Sequence, residues 1–312
     1  MSVSKTTRNW PTLNFDEYGD TITTVQLWAQ IVGKIRLSQS SWTNHSWHVT
    51  LYINSRSLTT GAIPYTDGNF EIVFDFIDHQ LLISNTQGDN QSFDLAANSV
   101  ADFYHKLTTA LKIMNVNVTL YAKPNEVDPA IPFAEDNSHC TYQPSAMNNL
   151  WQALVRINNT FHVFRARFTG KCSPVHLFWG AFDLAVTRFS GRRAPVYSGG
   201  VPNMPDLVMQ EAYSHEVSSC GFWPGSKDSP QAIFYAYCYP TPSAFGKCTV
   251  QPDAAFYSGE MGEFLLPYHT VQQSVQPEEI LLKFLQSTYE AAANTANWDG
   301  SNLECDLTWL EK

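Results

Sequence analysis

Four segments of the chain repeat hydrophobic residues every three or four positions, the spacing that predicts amphipathic helices. Two of them cover about residues 21–38 and 99–114, and two further helices begin at Pro144 and Pro277. Ser99 is followed three positions later by Asp102, which predicts a capping box at the start of the second helix. Proline suits the first turn of the other two, where an N–H would have no partner.

Between these helices hydrophobic and polar residues alternate, which is typical of strands with one buried face. The alternation predicts a hairpin of strands 70–76 and 80–86 and a strand over 176–189 that bends at Gly180. A short helix is predicted over 205–212. The other predicted strands cover residues 47–53, 93–95, 116–121, 161–168, 232–239 and 264–266.

The order of elements is similar in the two halves of the chain, each of which begins and ends with a helix. Local motifs repeat as well, because Trp47-His-Val and Phe161-His-Val open the first predicted strand of each half. Strands that follow one another through short connections favour antiparallel sheets. We therefore expect an α+β protein of two similar halves, each a mainly antiparallel sheet flanked by helices, with a possible internal duplication.

A segment rich in proline and acidic residues separates the halves, and composition of this kind is typical of a linker. The predicted organisation is an N-terminal half over 1–122, a linker over 123–138 and a C-terminal half over 139–312. Two such sheets could lie side by side with a cleft between them.

The net charge and the N-terminal sequence limit the possible partners and the location of the protein. The formal net charge is −10, which disfavours nucleic acid as a partner. The N-terminus lacks the apolar core of a signal peptide, and no apolar stretch is long enough to span a bilayer. We expect a cytoplasmic protein with reduced cysteines and no membrane partner; the oligomeric state is left open.

Basic residues concentrate in one segment, residues 156–193, which contains six of the nine arginines and Lys171 against a single acid, Asp183. This segment has a net charge of +6, and the remainder of the chain has −16. Arginine side chains suit carboxylate and phosphate groups. We predict a site for a small anionic ligand in the C-terminal half or in the cleft. Its ligand-binding residues would be Arg188, Arg192, Arg193, Trp179, Asp183 and Trp223, with Gly191 allowing a turn.

A second segment, residues 213–225, is dense in groups that transfer protons. His215 and Glu216 are the candidate acid/base pair, and His176 is a third candidate catalytic residue. The same residues suggest an alternative, a metal-dependent enzyme in which His215 and Glu216 are ligands together with His176 or Asp183. No metal ligand set and no cofactor is assigned, and the pattern does not decide whether the protein is an enzyme.

Several common signatures are absent from the chain, including the dinucleotide-binding glycine motif, a complete phosphate-binding loop, the paired histidines of zinc proteases and the nucleophile elbow of α/β-hydrolases. Another alternative is therefore a non-catalytic scaffold or interaction protein whose arginines form ion pairs within the fold. A structure distinguishes the two: arginines that bind a ligand should line one pocket, whereas structural arginines should contact protein carboxylates.

Two motifs of this chain are more specific than its composition. They are Ser173-Pro-Val-His-Leu-Phe-Trp-Gly-Ala-Phe-Asp-Leu-Ala-Val-Thr-Arg-Phe-Ser-Gly-Arg-Arg-Ala-Pro195 and Tyr213-Ser-His-Glu-Val-Ser-Ser-Cys-Gly-Phe-Trp-Pro-Gly225. With the last predicted helix they resemble a bacterial family of about this length that is known as a domain of unknown function. The resemblance implies a bacterial, cytoplasmic protein and no particular activity.

Overall fold

Two antiparallel sheets of six strands each, together with seven helices, make up the part of the computed structural model that is described, residues 10–200 and 204–305. This confirms the predicted α+β class with two sheet-containing halves. The helices are α1 (Phe15–Gln39), α2 (Val100–Ile113), α3 (Pro144–Ala166), α4 (Asp206–Ala212), α5 (Tyr268–Gln272), α6 (Pro277–Thr295) and α7 (Gly300–Leu303).

The first sheet consists of β1 (Tyr52–Ile53), β2 (Ser57–Thr59), β3 (Ile63–Tyr65), β4 (Gly68–Asp75), β5 (Gln80–Asn85) and β6 (Asn90–Asp94). Its order is β1-β2-β4-β5-β6, and β3 also pairs with β4. The second sheet consists of β7 (His176–Phe178), β8 (Asp183–Arg193), β9 (His215–Trp223), β10 (Ile233–Tyr239), β11 (Phe256–Ser258) and β12 (Glu263–Pro267). Its order is β7-β8-β9-β10-β12-β11.

The two sheets meet edge to edge at one antiparallel bridge between Leu51 and Leu177. The N–H of Leu51 donates to the carbonyl of Leu177 at 2.9 Å, and the reverse bond measures 2.8 Å. Both side chains are fully buried. Helix α1 packs against α2 and α3, and α3 packs against α6, so the helices form a layer that covers both sheets. One hydrophobic cluster contains residues from both halves.

The four long helices form where the hydrophobic spacing predicted them. Ser99 accepts from the N–H of Asp102 at 3.0 Å, and the Asp102 carboxylate accepts from the N–H of Ser99, so the capping box is confirmed. Pro144 and Pro277 both lie in the first turn of their helices. Among the helices described, none is long and apolar enough to cross a membrane.

Several predicted strands are wrong. Residues 161–166 belong to α3, because Ile157, Phe161 and Phe164 are buried at helical spacing, although the intervening residues imitate alternation. Residues 116–121 form no strand, and of 47–53 only Tyr52–Ile53 is a strand. Phe161-His-Val lies in a helix, so it does not open a strand as the motif repeated in the two halves predicted. The internal duplication remains a prediction.

The predicted bent strand 176–189 is a hairpin, since β7 and β8 run antiparallel with Phe178 opposite Asp183. The reversal resets the alternation, so His176 shares a face with Asp183 and Thr187 and not with Arg188. The residues Ser190–Arg193, predicted as a turn, are the irregular end of β8. Gly191 there has φ 86°, the left-handed conformation that glycine allows.

The connection between the halves, residues 123–138, is packed against the fold. Asn125 exchanges two hydrogen bonds with the Gln30 side chain of α1, at 2.7 and 2.8 Å. A 3₁₀ turn at Phe133–Glu135 lies against α2 and buries Phe133 completely. The division into two domains at this connection remains a prediction.

The packing of Trp179 between the halves makes Gly33 a sensitive position. The Trp179 indole N–H donates to the Val49 carbonyl at 2.9 Å, and a Cβ on Gly33 would collide with the indole ring. Gly33→Ala should lower the free energy of unfolding by about 1–3 kcal/mol, because overpacking outweighs the roughly 1 kcal/mol gain in helix propensity. Urea denaturation measures this effect. In a Trp179→Leu background the same substitution should become neutral or stabilising, and an unchanged effect would contradict the contact.

Candidate functional site

A cavity of about 860 Å³ lies where the two halves meet, and we call it the junction cavity. One wall is the face of β7–β10 that points away from α3 and α6. Other walls come from α1, the connecting segment, the 3₁₀ turn at Asn44–Ser46 and α4. The lining residues used below are Lys34, Trp42, His45, Trp47, Tyr121, Lys123, Glu126, His176, Phe178, Trp179, Ala181, Asp183, Thr187, Met209, Tyr213 and Tyr237. The size suits a small organic molecule.

Three acidic side chains, Glu126, Asp183 and Glu263, are named the carboxyl cluster because the charge of Asp183 acts on the other two. Glu126 and Asp183 line the cavity, and Glu126 is exposed while Asp183 and Glu263 are half-buried. Burial raises the pKa of Asp183 to about 6, although a hydrogen bond from Tyr235 opposes the shift. Burial and the neighbouring charge of Asp183 raise the pKa of Glu126 to about 7 and that of Glu263 to about 7. The cluster therefore exchanges protons with solvent near neutral pH, which few surface carboxyls do.

Glu126 reaches the cluster because Gly180 has no side chain. A Cβ on Gly180 would collide with the Glu126 carboxylate, so the turn of the β7–β8 hairpin can accept the acid only with glycine at this position. The side chain of Glu126 is accessible from the cavity while protein surrounds it. Partial desolvation of this kind explains the direction of its pKa shift.

His176 presents an unsatisfied acceptor in the cavity wall. Its side chain is 1% exposed, and burial lowers its pKa to about 4, so the ring is neutral. Nδ1 lies 2.7 Å from the carbonyl oxygen of Pro174, which can only accept, so Nδ1 carries the proton. Nε2 is then a bare acceptor, and it has no hydrogen-bond partner among the residues described. Nε2 has almost no accessible surface, so a group in the cavity could reach it only if neighbouring side chains moved.

Hydroxyl groups continue the polar surface along the sheet. Thr187 and Ser219 share a hydrogen bond of 2.8 Å, and Tyr213 donates to Tyr237 at 3.0 Å. Burial raises the pKa of Tyr237 to about 12 and also raises that of Tyr235 well above its usual value, so both phenols stay protonated at neutral pH. They can donate to a carboxylate or accept from a ligand.

Basic groups lie at other parts of the cavity. Lys34 is 4% exposed, stacks over the rings of Tyr121 and Trp179, and hydrogen-bonds Asn125; burial lowers its pKa to about 8. Nζ of Lys171 lies 2.6 Å from Nε2 of His45, and burial lowers the pKa of both groups.

Helix α4 closes one side of the cavity and is held by a carboxylate. Glu211 accepts from the backbone N–H of His45 with both oxygens, at 2.7 and 2.9 Å. Nδ1 of His45 lies 2.9 Å from the Ala212 carbonyl. His45 has φ 58°, so a left-handed residue in the N-terminal half directs its N–H toward α4.

The predicted site residues do not all meet. His176, Trp179 and Asp183 line the junction cavity, whereas His215, Glu216, Arg188, Arg192, Arg193 and Trp223 are not among its lining residues. The face reversal in the β7–β8 hairpin separates Arg188 from His176. The remaining predicted residues belong to the far end of β8 and to the two ends of β9.

Arg188 and Arg192 contact other groups of the protein, although Nε and Nη1 of Arg188 are buried without a hydrogen-bond partner. Arg188 is fully buried, donates to the Phe164 carbonyl, and has its guanidinium carbon 3.5 Å from the centre of the Phe164 ring and 4.3 Å from that of Tyr289. Arg192 donates to the Glu216 carboxylate at 2.7 and 2.9 Å and to the Ala296 carbonyl at 2.6 Å. The Glu216 carboxylate also accepts a hydrogen bond from Ser190, so it is hydrogen-bonded within the fold.

The arginines and the predicted acid/base pair therefore do not form one pocket. The described part of the chain also contains no group of three or more His, Cys, Asp or Glu side chains placed to hold a metal ion. The structure thus does not assemble the metal-ligand set that the sequence suggested.

Sequence reasoning missed Glu126, Lys34, His45 and the tyrosines of β10. One signal was present, because Lys34 interrupts the apolar stripe Ile31, Val32 and Ile35 of α1, and a lysine there is unusual. Another was the alternation of Tyr235, Tyr237 and Tyr239. Glu126 had no such signal, because it lies in an irregular segment whose path depends on tertiary contacts.

The raised pKa of Asp183 predicts a pH-dependent stability difference. Its carboxyl ionises less readily when folded, so its protonated form stabilises the fold at low pH, and this contribution is lost as pH rises from about 4 to about 6. Asp183→Asn should therefore be more stable than wild type at pH 8, on the order of 1–3 kcal/mol. The difference should vanish near pH 4 in urea denaturation. Asp67→Asn, at an exposed position, is the matched control; a pH-independent difference for Asp183→Asn would contradict the shift.

The model for a family described as "Family of unknown function (DUF5996)" matches residues 10–305. This range includes both sheets and the whole junction cavity. The match confirms the resemblance to a family of unknown function that the motifs indicated. No curated protein and no solved structure matches the chain. The chain therefore belongs to DUF5996, a family whose function is unknown.

Proposed function

We propose that this protein binds a small organic molecule in the junction cavity. The observation that carries the proposal is the 860 Å³ cavity, whose lining combines aromatic rings with the carboxyls of Glu126 and Asp183. A ligand group that donates hydrogen bonds could bond to these carboxyls, because their oxygens accept. The aromatic lining, including Trp47, Phe178 and Trp179, would cover the apolar body of such a ligand.

The ligand that this cavity supports has an apolar, ring-sized body and a head that donates hydrogen bonds. The carboxyls of Glu126 and Asp183 are acceptors that line the cavity, Glu126 from the connecting segment and Asp183 from β8. An anionic ligand held by Arg188, Arg192 and Arg193 has no support from the contacts, because two of these side chains bond to protein oxygens and the three do not converge. The charge distribution of the sequence suggested a small anionic ligand, and we replace it with a ligand whose head donates hydrogen bonds.

A second candidate is the non-catalytic interaction protein. It is favoured by the arginine contacts within the fold and by large exposed apolar residues at the cavity, where Trp42 is 58% and Tyr121 71% exposed. An exposed apolar rim is a feature of interaction sites as well as of ligand entrances. This candidate differs from the first in needing no ligand inside the cavity.

Filling the cavity tests the first proposal. Ala181→Trp places an indole in the cavity without removing a polar group, and Ala134→Trp adds the same ring at an exposed position that is not among the lining residues. In a thermal-shift and NMR screen of a fragment library, ligands should stabilise wild type and Ala134→Trp by mass action but not Ala181→Trp. If no fragment distinguishes the two variants, the cavity is not a binding site and the second candidate is favoured.

Removing the exposed arginines tests their structural role. Arg192→Ala with Arg193→Ala should lower the free energy of unfolding by about 1 kcal/mol or less, because the Arg192–Glu216 pair is half-exposed. Binding of any fragment found in the screen should be unchanged. Urea denaturation and titration of that fragment give the two values, and loss of fragment binding in a folded double variant would restore the arginines to the site.

A further inference from the structure

We propose that Lys34 is the reactive amine of the junction cavity and forms a Schiff base there with an aldehyde or ketone on an aromatic body. This inference rests on the proposed function, because it names a chemical class of ligand for the same cavity. It adds a covalent bond to the binding that the cavity lining supports. The residue that forms this bond lies outside both segments that the sequence pattern indicated as sites.

The first argument is the position of Lys34. Its side chain is 4% exposed and nevertheless lines the cavity, where α1 meets the connecting segment. Lysine is rarely buried to this extent unless it pairs with an acid. In the part of the chain that the structure describes, no ion pair includes Lys34. A salt bridge therefore does not explain why a lysine lies in this wall.

The second argument is the set of groups around the amine. Nζ donates to the side-chain oxygen of Asn125, and it lies 5.4 Å from the centre of the Tyr121 ring and 5.6 Å from that of Trp179. An amide oxygen orients the amine without the negative charge by which a carboxylate would stabilise the ammonium. Burial lowers the pKa of Lys34 to about 8, so a fraction of the amine is neutral and nucleophilic at neutral pH.

The third argument is that the surroundings of Nζ are held in place. One turn earlier in α1, the Gln30 side chain bonds to both backbone groups of Asn125, at 2.7 and 2.8 Å. The Trp179 indole is fixed by its bond to the Val49 carbonyl at 2.9 Å. The amine therefore has a defined position beside the aromatic lining, as a group that reacts with a bound molecule requires.

The reaction balances without any further reagent. The lone pair of neutral Nζ attacks the carbonyl carbon, a C–N bond forms, and the carbonyl oxygen receives a proton from the nitrogen through solvent, which gives a carbinolamine. The C–O bond then breaks, the oxygen leaves as water, and a C=N bond remains. Amine and carbonyl thus give imine and water, and nothing is oxidised or reduced. The aromatic body stays against lining residues such as Trp47, Phe178 and Trp179.

The test uses 4-hydroxybenzaldehyde, whose hydroxyl can donate to the cavity carboxyls, and 4-hydroxybenzyl alcohol, which lacks the carbonyl. Folded wild-type protein is incubated with each probe and cyanoborohydride, which reduces an imine to a stable secondary amine, and peptide mass mapping locates the adduct. The aldehyde should label Lys34 about tenfold or more above Lys123, an exposed lysine of the same lining. The reason is that an amine with a pKa of about 8 has on the order of a hundredfold more neutral form at neutral pH than an ordinary lysine. The alcohol should give no adduct.

Three variants connect the adduct with the amine and with the cavity. Lys34→Arg retains a positive charge and a donor for Asn125 but forms no Schiff base, so it should lose the adduct. Lys112→Arg, at an exposed position that is not among the lining residues, is the matched control and should keep it. Ala181→Trp fills the cavity and should also lose the adduct at Lys34.

Three outcomes would overturn the inference. These are labelling of exposed lysines with none at Lys34, an undiminished adduct in folded Lys34→Arg, and labelling of Lys34 that Ala181→Trp leaves unchanged. If Lys34→Arg does not fold, the peptide map of wild-type protein decides alone. Failure of the proposed function has a different signature, because then no fragment distinguishes Ala181→Trp from Ala134→Trp. A fragment that does distinguish them, together with no adduct at Lys34, contradicts only the Schiff base.

Discussion

The junction between the two sheets is the constraint on which the rest of the structure depends. Leu51 and Leu177 exchange two backbone hydrogen bonds, and Trp179 bonds to Val49 only a few residues away. These contacts place the edge of the first sheet beside the β7–β8 hairpin. Because the cavity takes walls from both halves, it exists only when this junction is formed.

The arginines and the acids differ in their contacts, and this difference favours a site in the junction cavity over a site at the arginines. The arginines that dominate the sequence contact the fold: Arg192 bonds to Glu216, and Arg188 contacts a carbonyl and two aromatic rings while its Nε and Nη1 are buried without a hydrogen-bond partner. The acids near the cavity are not satisfied by any cation in the described structure. Glu126 is exposed and Asp183 and Glu263 are half-buried, so a proton or a group that enters the cavity can compensate their charge.

Local backbone choices create the polar surface of the cavity. The turn between β7 and β8 brings His176 and Asp183 to one face, and Gly180 within that turn leaves room for the Glu126 carboxylate. On the other side, the left-handed conformation of His45 directs its N–H to Glu211 of α4. The Gly180 turn and the left-handed His45 each bring together residues that are far apart in sequence, so the cavity depends on both halves.

The sequence by itself determined the fold class, the four long helices, the Ser99 capping box and the hairpin at residues 70–86, because each depends on contacts within about one element. It also drew attention to His176, Trp179 and Asp183, which the tertiary structure places in the cavity. Periodicity misjudged Phe161–Phe168, since both helical and strand spacing fit that run of aromatic residues. Only the tertiary structure decided which arginines face the core and which acids lack partners. The physical reason is that the reversal at residues 179–182 and the path of residues 123–138 depend on packing between distant segments, which no local pattern records.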